Sequence, residues 1–159
     1  MTLDEIGCRH GTDKASFHHD YLRYYEEFLD RGAIGSMLEI GVHKGASLSM
    51  WRDWLPSAII VGIDSKKLLF KPLDEKMFVE RGDQSDEEFL HQIGSSFGPF
   101  DLIIDDGSHD TVEQHISWYV LHKYLSPHGR YVIEDVKPEV SFPDWPRFAG
   151  KRGEELRVS

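Results

Sequence analysis

The sequence predicts an α/β fold in which a mostly parallel sheet lies between two layers of helices. Three observations predict it. Segments with apolar residues at strand spacing alternate along the chain with segments at helical spacing. The strand segments are short and almost wholly apolar, which is typical of parallel strands buried on both faces. A glycine or an acidic residue ends each of them, and ligands of such sheets bind at the carboxyl ends of the strands.

The first half of the chain supplies two helices and three strands. A helix is predicted over 16–32, because its aromatic and apolar residues recur at helical spacing and Gly32 is a suitable stop. Strands follow at 36–42, at 58–64, where β-branched residues dominate, and more weakly at 76–83. Between the first two strands, a helix over 46–55 would bury Leu48, Trp51 and Leu55 and end before Pro56.

The second half repeats the alternation. A helix is predicted over 85–98, with Ser85 as its N-cap and Glu88 completing a capping box. The apolar run 100–106 is predicted to be a central strand. A helix over 111–125 would bury Val112, Ile116, Tyr119, Val120 and Leu125, and a fifth strand follows at 129–135.

Length and composition indicate one domain with three parts. The 159 residues divide into a helical N-terminal segment or lid (1–35), a sheet core (36–135) and an irregular tail (136–159) that is rich in proline and charge. The net charge of -10 disfavours a nucleic-acid partner. Cys8 is the single cysteine, no apolar stretch is long enough for a membrane span, and the start MTLDEIG lacks the apolar core of a secretion signal. We therefore expect a soluble, cytoplasmic protein.

The stretch LIIDDGSHD (102–110) is the most unusual feature of the sequence. Asp105 and Asp106 are adjacent carboxylates at the end of a buried strand, where they repel each other and are costly to desolvate. A proton, a cation, a hydrogen-bonded ligand or water must neutralise them. His109 and Asp110 follow on the same turn, and the simpler interpretation of these two is a helix start with Asp110 as its cap.

Further candidate binding residues lie at the ends of the other strands. Gly41 and Gly45 are four residues apart, so the dinucleotide spacing G-x-G-x-x-G is absent. Asp64 follows at about the separation from which an acid binds ribose hydroxyls, in NAD enzymes and in nucleoside-binding methyltransferases alike. Asp83 and Gln84 could reach an adenine edge.

The ordered series LEIGVHKG, VGID, RGDQSD, FDLIIDDGSH and GRYVIED resembles the class I S-adenosylmethionine-dependent methyltransferases. More narrowly, it is similar to the metal-dependent sugar O-methyltransferases of macrolide biosynthesis, the mycinamicin type. The upstream segment HGTDKASFHHDYLRYYE is also similar to that group. The resemblance runs from about Gly11 to Asp135, and it implies a Rossmann-like methyltransferase sheet.

The resemblance implies methyl transfer from S-adenosylmethionine to a hydroxyl of a sugar or natural-product glycoside. It implies His109 and Asp106 as the catalytic residues, with His109 as the general base, and a divalent ion held by Asp106, Glu134 and Asp135. Carboxylate oxygens suit Mg²⁺, whereas the sequence offers no cysteine or histidine cluster for Zn²⁺. Such an ion would neutralise the paired acids.

The resemblance also implies the cofactor site. Its residues would be Glu39, Gly41, Gly45 and Ser47 around the methionine part, Asp64 at the ribose, and Asp83 and Gln84 at the adenine. Asp105 would either support the methionyl amine or brace Asp106, and Thr12, Asp13 and Lys14 would order a lid or form a helix-entry loop.

One departure from the family and two rival functions stay open. The family usually ends its sheet with an antiparallel hairpin, which we expect to be lacking after Asp135; the open edge would favour a homo-oligomer. The first rival is a non-catalytic domain that binds S-adenosylmethionine or metal. The second is an NAD-linked oxidoreductase, which the glycine spacing disfavours.

Overall fold

The computed structural model describes residues 1–67 and 69–137, and the backbone of 147–151 and 154–158. These residues form one seven-stranded sheet with the order β3-β2-β1-β4-β5-β7-β6. Its strands are β1 (Ser36–Ile40), β2 (Ile59–Asp64), β3 (Met77–Arg81), β4 (Phe100–Asp105), β5 (Leu125–Ile133), β6 (Arg147–Lys151) and β7 (Glu154–Val158). The first five are parallel, and the strand order reverses between β1 and β4.

Five α-helices flank the sheet. They are α1 (Leu3–His10), α2 (Leu22–Phe28), α3 (Ala46–Trp54), α4 (Glu87–Phe97) and α5 (Thr111–Leu121), with 3₁₀ turns at Arg31–Ala33 and His122–Tyr124. Helices α1, α2 and α3 pack on one face of the sheet and contribute the buried Leu3, Tyr25 and Trp51. Helices α4 and α5 cover the other face with Leu90, Ile93 and Val120. The three-layer α/β prediction is therefore confirmed.

The aromatic residues of the first face tie the N-terminal helices to the sheet. The ring of Trp51 lies edge-on to Tyr25, with centroids 5.3 Å apart, and both side chains are fully buried. Burial of each large apolar side chain stabilises the fold by roughly 2–3 kcal/mol. Helix α2 is thereby fixed against the sheet, which matters for the site because Tyr25 belongs to it.

The predicted helix over 16–32 is wrong in extent, and α1 was not predicted. Residues 12–21 form turns, Asp20 takes a left-handed conformation with φ 59°, and the helix begins only at Leu22. The backbone N–H groups of Tyr21 and Leu22 bind the carbonyl of Lys14, so tertiary packing of that loop replaces the regular helix that the aromatic spacing favoured.

Two helix details also differ from the sequence predictions. Asp86, and not Ser85, caps α4 by accepting a hydrogen bond from the backbone N–H of Phe89. Helix α5 ends at Leu121, and the residues predicted to be buried at Val112 and Tyr119 are instead 61% and 52% exposed. Val120 is buried as predicted, and Gln114, Ser117 and Leu121 form the rest of the inner face.

The expectation that the C-terminal hairpin is lacking is wrong, and so is the irregular tail over residues 147–151 and 154–158. Strand β7 runs antiparallel to β5, with Val158 opposite Val132, and β6 pairs antiparallel with β7 from Arg147 to Lys151. Strand preference depends strongly on the neighbouring strand. The edge of β5 supplies backbone partners that the local sequence does not reveal.

In the part of the chain that the structure describes, every helix is too short or too polar to cross a membrane.

Candidate active site

A cavity of about 720 Å³ opens at the carboxyl ends of β1 to β4. This is within the range of small-molecule and cofactor sites. Seven of the predicted site residues line it: Gly41, Ser47, Asp64, Asp83, Gln84, Asp106 and His109. Thr12 and Asp13 of the proposed lid line it together with Gly11, whereas Lys14, the third residue of that proposal, does not. Glu39, Gly45, Asp105, Glu134 and Asp135, although all described, are not among the lining residues.

The loop after β1 crosses close to the loop after β4. Gly41 has φ +95°, and a Cβ on it would lie 2.1 Å from the carbonyl oxygen of Asp106. Gly45 has φ +80° and serves as the N-cap residue of α3, where a Cβ would overlap the ring of Phe70. Glycine is therefore required at both positions, and α3 begins with its N-terminus at the cavity.

Asp64 braces the glycine loop from the end of β2. Its Oδ2 accepts hydrogen bonds from the backbone N–H groups of Val42 (3.0 Å) and His43 (2.9 Å), and its Oδ1 accepts one from Lys66 (2.8 Å). Partial burial raises the pKa of Asp64, but these N–H groups outweigh it and hold the pKa below its usual value. Asp64 is thus kept ionised at the cavity wall, where it can accept further hydrogen bonds.

Asp83 and Gln84 form the wall beyond β3. The backbone and hydroxyl of Ser85 both donate to Asp83 Oδ1 and lower the pKa of Asp83. Gln84 accepts a hydrogen bond from the backbone N–H of Ser108 at 2.7 Å, which ties the β3 loop to the loop that bears His109. Asp83 therefore offers its Oδ2 to the cavity while Gln84 shapes the wall.

The structure favours the bracing role for Asp105 over contact with a cofactor. Its carboxyl is fully buried and accepts hydrogen bonds from Ser117 (2.5 Å), from Gln84 (3.3 Å) and from the backbone of Gly107 (3.3 Å). Burial raises the pKa of Asp105 to about 7. As a cofactor contact Asp105 is therefore a poor candidate, because both of its oxygens accept hydrogen bonds within the protein and it does not line the cavity.

The sequence analysis placed Lys14 in a lid or a helix-entry loop and did not predict its position among the acids at the strand ends. Its side chain is 1% exposed, and its ammonium group lies among three carboxylates. It donates to Asp106 Oδ2 and, at 2.8 Å, to Glu134 Oε2, and Glu39 Oε1 lies 3.6 Å away. Burial acts to lower the pKa of Lys14, but the three carboxylates outweigh it and raise that pKa well above its usual value. Lys14 is therefore a buried cation at the strand ends.

Two tyrosines from the same N-terminal segment each bind one oxygen of the acids that follow β5. Tyr21 donates its hydroxyl to Asp135 Oδ1 at 2.5 Å, and Tyr25 donates to Glu134 Oε1. The backbone of Glu134 is also fixed, because its N–H binds the carbonyl of Asp105 and its carbonyl accepts from Gln114. The acids after β5 are therefore oriented from both sides.

Asp106, His109 and Asp135 form a group that faces outward. His109 Nε2 lies 3.9 Å from Asp106 Oδ1 and 3.6 Å from Asp135 Oδ2, and one ligand atom from each residue lies within 4.8 Å of the other two. His109 and Asp135 both have left-handed backbone conformations, at φ 56° and 53°. Such strain in non-glycine residues concentrates at functional sites.

This donor set fits a divalent metal ion. Its two carboxylates, those of Asp106 and Asp135, are hard oxygen ligands and are partly exposed, so water or a substrate oxygen can complete the coordination, while the imidazole of His109 lies beside them. Glu134, the third predicted ligand, is not in this group, and its two oxygens accept hydrogen bonds from Lys14 and Tyr25. Its role as a metal ligand stays a prediction.

The surrounding charges also favour a further cation. The single ammonium group of Lys14 faces Glu39, Asp106 and Glu134, so negative charge is in excess only when more than one of these three carboxyl groups is ionised. Burial raises the pKa of Glu39 to about 7 and that of Glu134 well above its usual value. A divalent ion beside Asp106 would reduce the repulsion among these acids.

Asp110 has the simple structural role that the sequence allowed. Its side chain caps α5 by accepting hydrogen bonds from the backbone N–H groups of Val112 (2.9 Å) and Glu113 (3.3 Å). His109 does not share that role, because its ring faces Asp106 and Asp135.

The chain is similar to enzymes that methylate sugar hydroxyls, although no family model matches it. It is 36% identical over 94% of its length to mycinamicin VI 2''-O-methyltransferase from Micromonospora griseorubida, of which the match covers 38%. It is 32% identical over 95% of its length to L-olivosyl-oleandolide 3-O-methyltransferase from Streptomyces antibioticus, of which 40% is covered. The chain therefore spans less than half the length of these relatives.

The solved structures that this chain resembles include a methyltransferase. The MycE methyltransferase in complex with Mg, S-adenosylhomocysteine (SAH) and mycinamycin VI superimposes with a TM-score of 0.76 at 38% identity. That match covers 85% of this chain and 39% of the MycE chain. In a second crystal form of MycE with Mg and SAH, 99% of this chain is covered at a TM-score of 0.78 and 27% identity.

Proposed function

Since this chain has the fold of the class I S-adenosylmethionine-dependent methyltransferases and resembles the macrolide sugar O-methyltransferases in sequence, we propose that it transfers a methyl group from S-adenosylmethionine to a sugar hydroxyl. The acceptor is a small glycosylated natural product. The negative net charge of the chain does not suit a nucleic-acid partner.

One observation carries this proposal. Asp106 and His109 line the 720 Å³ cavity and also belong to the outward-facing group with Asp135. A cofactor in the cavity and an acceptor hydroxyl beside that group would therefore meet at the same two residues. Methyl transfer needs this arrangement, because most of its acceleration comes from holding the two reactants in line.

The cavity residues give the cofactor its orientation. Asp64, kept ionised by three backbone N–H groups, accepts hydrogen bonds from the ribose hydroxyls. Asp83 and Gln84 lie at the adenine side, and Gly41 and Ser47 lie at the methionine side. Gly45 fixes the start of α3. Glu39 holds Ser47 by accepting a hydrogen bond from its hydroxyl group at 2.8 Å.

Asp106 and Asp135 would hold a divalent ion, with Glu134 as the third predicted carboxylate. Mg²⁺ suits these hard oxygen ligands. When bound, the ion supplies a positive charge that stabilises an alkoxide on the acceptor.

His109 is the general base. Its ring is 39% exposed and lies between two carboxylates, which stabilise the imidazolium that forms when it takes the hydroxyl proton. The acceptor O–H bond breaks as its proton passes to His109, the oxygen–methyl bond forms, and the methyl–sulfur bond breaks with its electron pair left on sulfur.

Assembly of this chain into a homo-oligomer stays a prediction, and the structure removes one reason for it. It was expected from an open edge beside β5, but β7 pairs with Val132 and Ile133 at that edge.

Two measurements test the proposed function. Isothermal titration calorimetry should show SAH binding at micromolar Kd and NAD not binding; the opposite preference would overturn the family assignment. Labelled S-adenosylmethionine should then transfer its methyl group to members of a panel of glycosylated macrolides only when Mg²⁺ is present. Binding of SAH without transfer to any sugar-bearing acceptor would instead support the non-catalytic alternative.

A further inference from the structure

Lys14 occupies an unusual place for a lysine. Its side chain is 1% exposed, deep at the strand ends, and its nearest charged groups are Asp106, Glu134 and Glu39. A buried ammonium group is costly to desolvate unless carboxylates pair with it. Here the carboxylates outnumber it, so it does more than balance a single acid.

The backbone around Lys14 is fixed, which makes the ammonium position well defined. The carbonyl of Lys14 accepts hydrogen bonds from the N–H groups of Tyr21 (2.8 Å) and Leu22 (3.3 Å) at the start of α2. Ala15, the next residue, is fully buried. The preceding residues Gly11, Thr12 and Asp13 line the cavity.

The ammonium group binds oxygens that the proposed metal site would use. Asp106 offers Oδ2 to Lys14 and Oδ1 to the side of His109, and Glu134 offers Oε2 to Lys14. A metal ion that recruits Glu134 must share an oxygen with Lys14 or with Tyr25. The positive charge of Lys14 also repels a divalent ion bound to the same carboxylates.

We propose that Lys14 is a positioning residue that holds the carboxylates of Asp106 and Glu134 together in the metal-free protein and competes with a divalent ion for their oxygens. The inference rests on the proposed function only for the premise that this site takes a divalent ion. It adds that the N-terminal segment, through Lys14, sets how tightly the ion binds.

The test is a titration with Mn²⁺, followed by the electron paramagnetic resonance signal of the free ion. It compares the wild-type chain with Lys14→Met and with Lys76→Met, which removes an exposed lysine near the start of β3. Lys14→Met should bind Mn²⁺ at least ~10-fold more tightly than wild type, because a repelling and competing charge is gone. Lys76→Met should bind as wild type does.

Thermal unfolding supplies the second readout. In EDTA, Lys14→Met should unfold at a lower temperature than wild type, because Glu39, Asp106 and Glu134 then lack their cation. Addition of Mn²⁺ should raise its Tm by more than it raises that of wild type, as ligand linkage requires for tighter binding.

Each outcome decides between the proposals. Equal or weaker Mn²⁺ binding by Lys14→Met, with binding by wild type intact, overturns the role of Lys14 and leaves the proposed function standing. Absence of Mn²⁺ binding by both overturns this inference and the metal site together. Where Lys14→Met does not fold without metal, Lys14→Gln keeps a hydrogen-bond donor without the charge, and the same tightening is expected of it.

Discussion

A Cβ atom added to Gly41 would lie 2.1 Å from the backbone carbonyl oxygen of Asp106. The loop after β1 and the loop that bears the proposed metal ligand are therefore in direct backbone contact. This contact joins the loop proposed to bind the cofactor to the loop proposed to bind the metal ion.

Gly41→Ala should destabilise the protein by roughly 2–5 kcal/mol, because a left-handed alanine and a backbone overlap add to each other. Gly11→Ala measures the left-handed conformation alone, at φ +70° with nothing within 4 Å, and should cost about 1 kcal/mol. Gly35→Ala, whose nearest contact is 3.6 Å, should change stability by less than about 0.5 kcal/mol. Urea unfolding of the three variants gives the comparison. A Gly41→Ala variant as stable as Gly11→Ala would contradict the close approach.

Asp64→Ala should weaken SAH binding by about 10- to 100-fold, since it removes a charged hydrogen-bond acceptor from the cavity wall. The matched control is Asp101→Ala. Asp101 also accepts hydrogen bonds from two backbone N–H groups, those of Gly35 and Ser36, but at the opposite end of the sheet. Calorimetry should show an unchanged Kd for that control. If the two variants lose affinity equally, general loosening and not ribose contact explains the effect.

The sequence allowed the parallel part of the sheet to be predicted because its signals are local. Strand segments, the glycine turn and the acids at the strand ends are all visible in short windows, and parallel pairing then brings Ile40, Asp105 and Ile133 side by side. The proximity of Asp106, His109 and Asp135 follows from that topology.

Lys14 and the two tyrosines could not be predicted from the same signals. Lys14 reaches its partners Asp106 and Glu134 across 92 and 120 residues, and Tyr25 reaches Glu134 across 109. No spacing rule links residues so far apart. Tyr21 and Tyr25 are buried, and the partners of their hydroxyl groups depend on how the N-terminal segment packs. The hairpin of β6 and β7 was missed for the related reason that its partner is the edge of β5.

Glu39→Gln should change the pH dependence of stability. Burial raises the pKa of Glu39 from 4.5 to about 7, so the folded state binds the proton more tightly than the unfolded state does. The stabilisation that protonated Glu39 gives the folded state is fully present below about pH 4.5 and is lost as pH rises toward 7. Glutamine does not titrate and can keep the contacts to Ser47 and Trp51.

The free energy of unfolding in EDTA, measured at pH 5 and pH 8, checks this prediction. Between pH 5 and pH 8, the free energy of unfolding of wild type should fall by up to about 3 kcal/mol relative to that of Glu39→Gln. A constant difference between the two proteins would mean that Glu39 stays ionised throughout, with Lys14 as its sufficient partner.

His109→Gly and His109→Ala should separate the chemical role of the imidazole from the strain of its backbone. Both variants remove the proposed base, so kcat for methyl transfer should fall by ~10²–10⁴ in each. Their stabilities should differ, because position 109 has φ 56°, where glycine fits and alanine is strained. His109→Gly should therefore be more stable than His109→Ala by about 1 kcal/mol.

The same pair of substitutions at His115, inside helix α5, is the control. There alanine should be the more stable by a similar amount, because glycine disfavours helix. Wild-type kcat in either His109 variant would exclude the imidazole as the base, and equal stabilities would show that the left-handed conformation relaxes once the ring no longer faces Asp106 and Asp135.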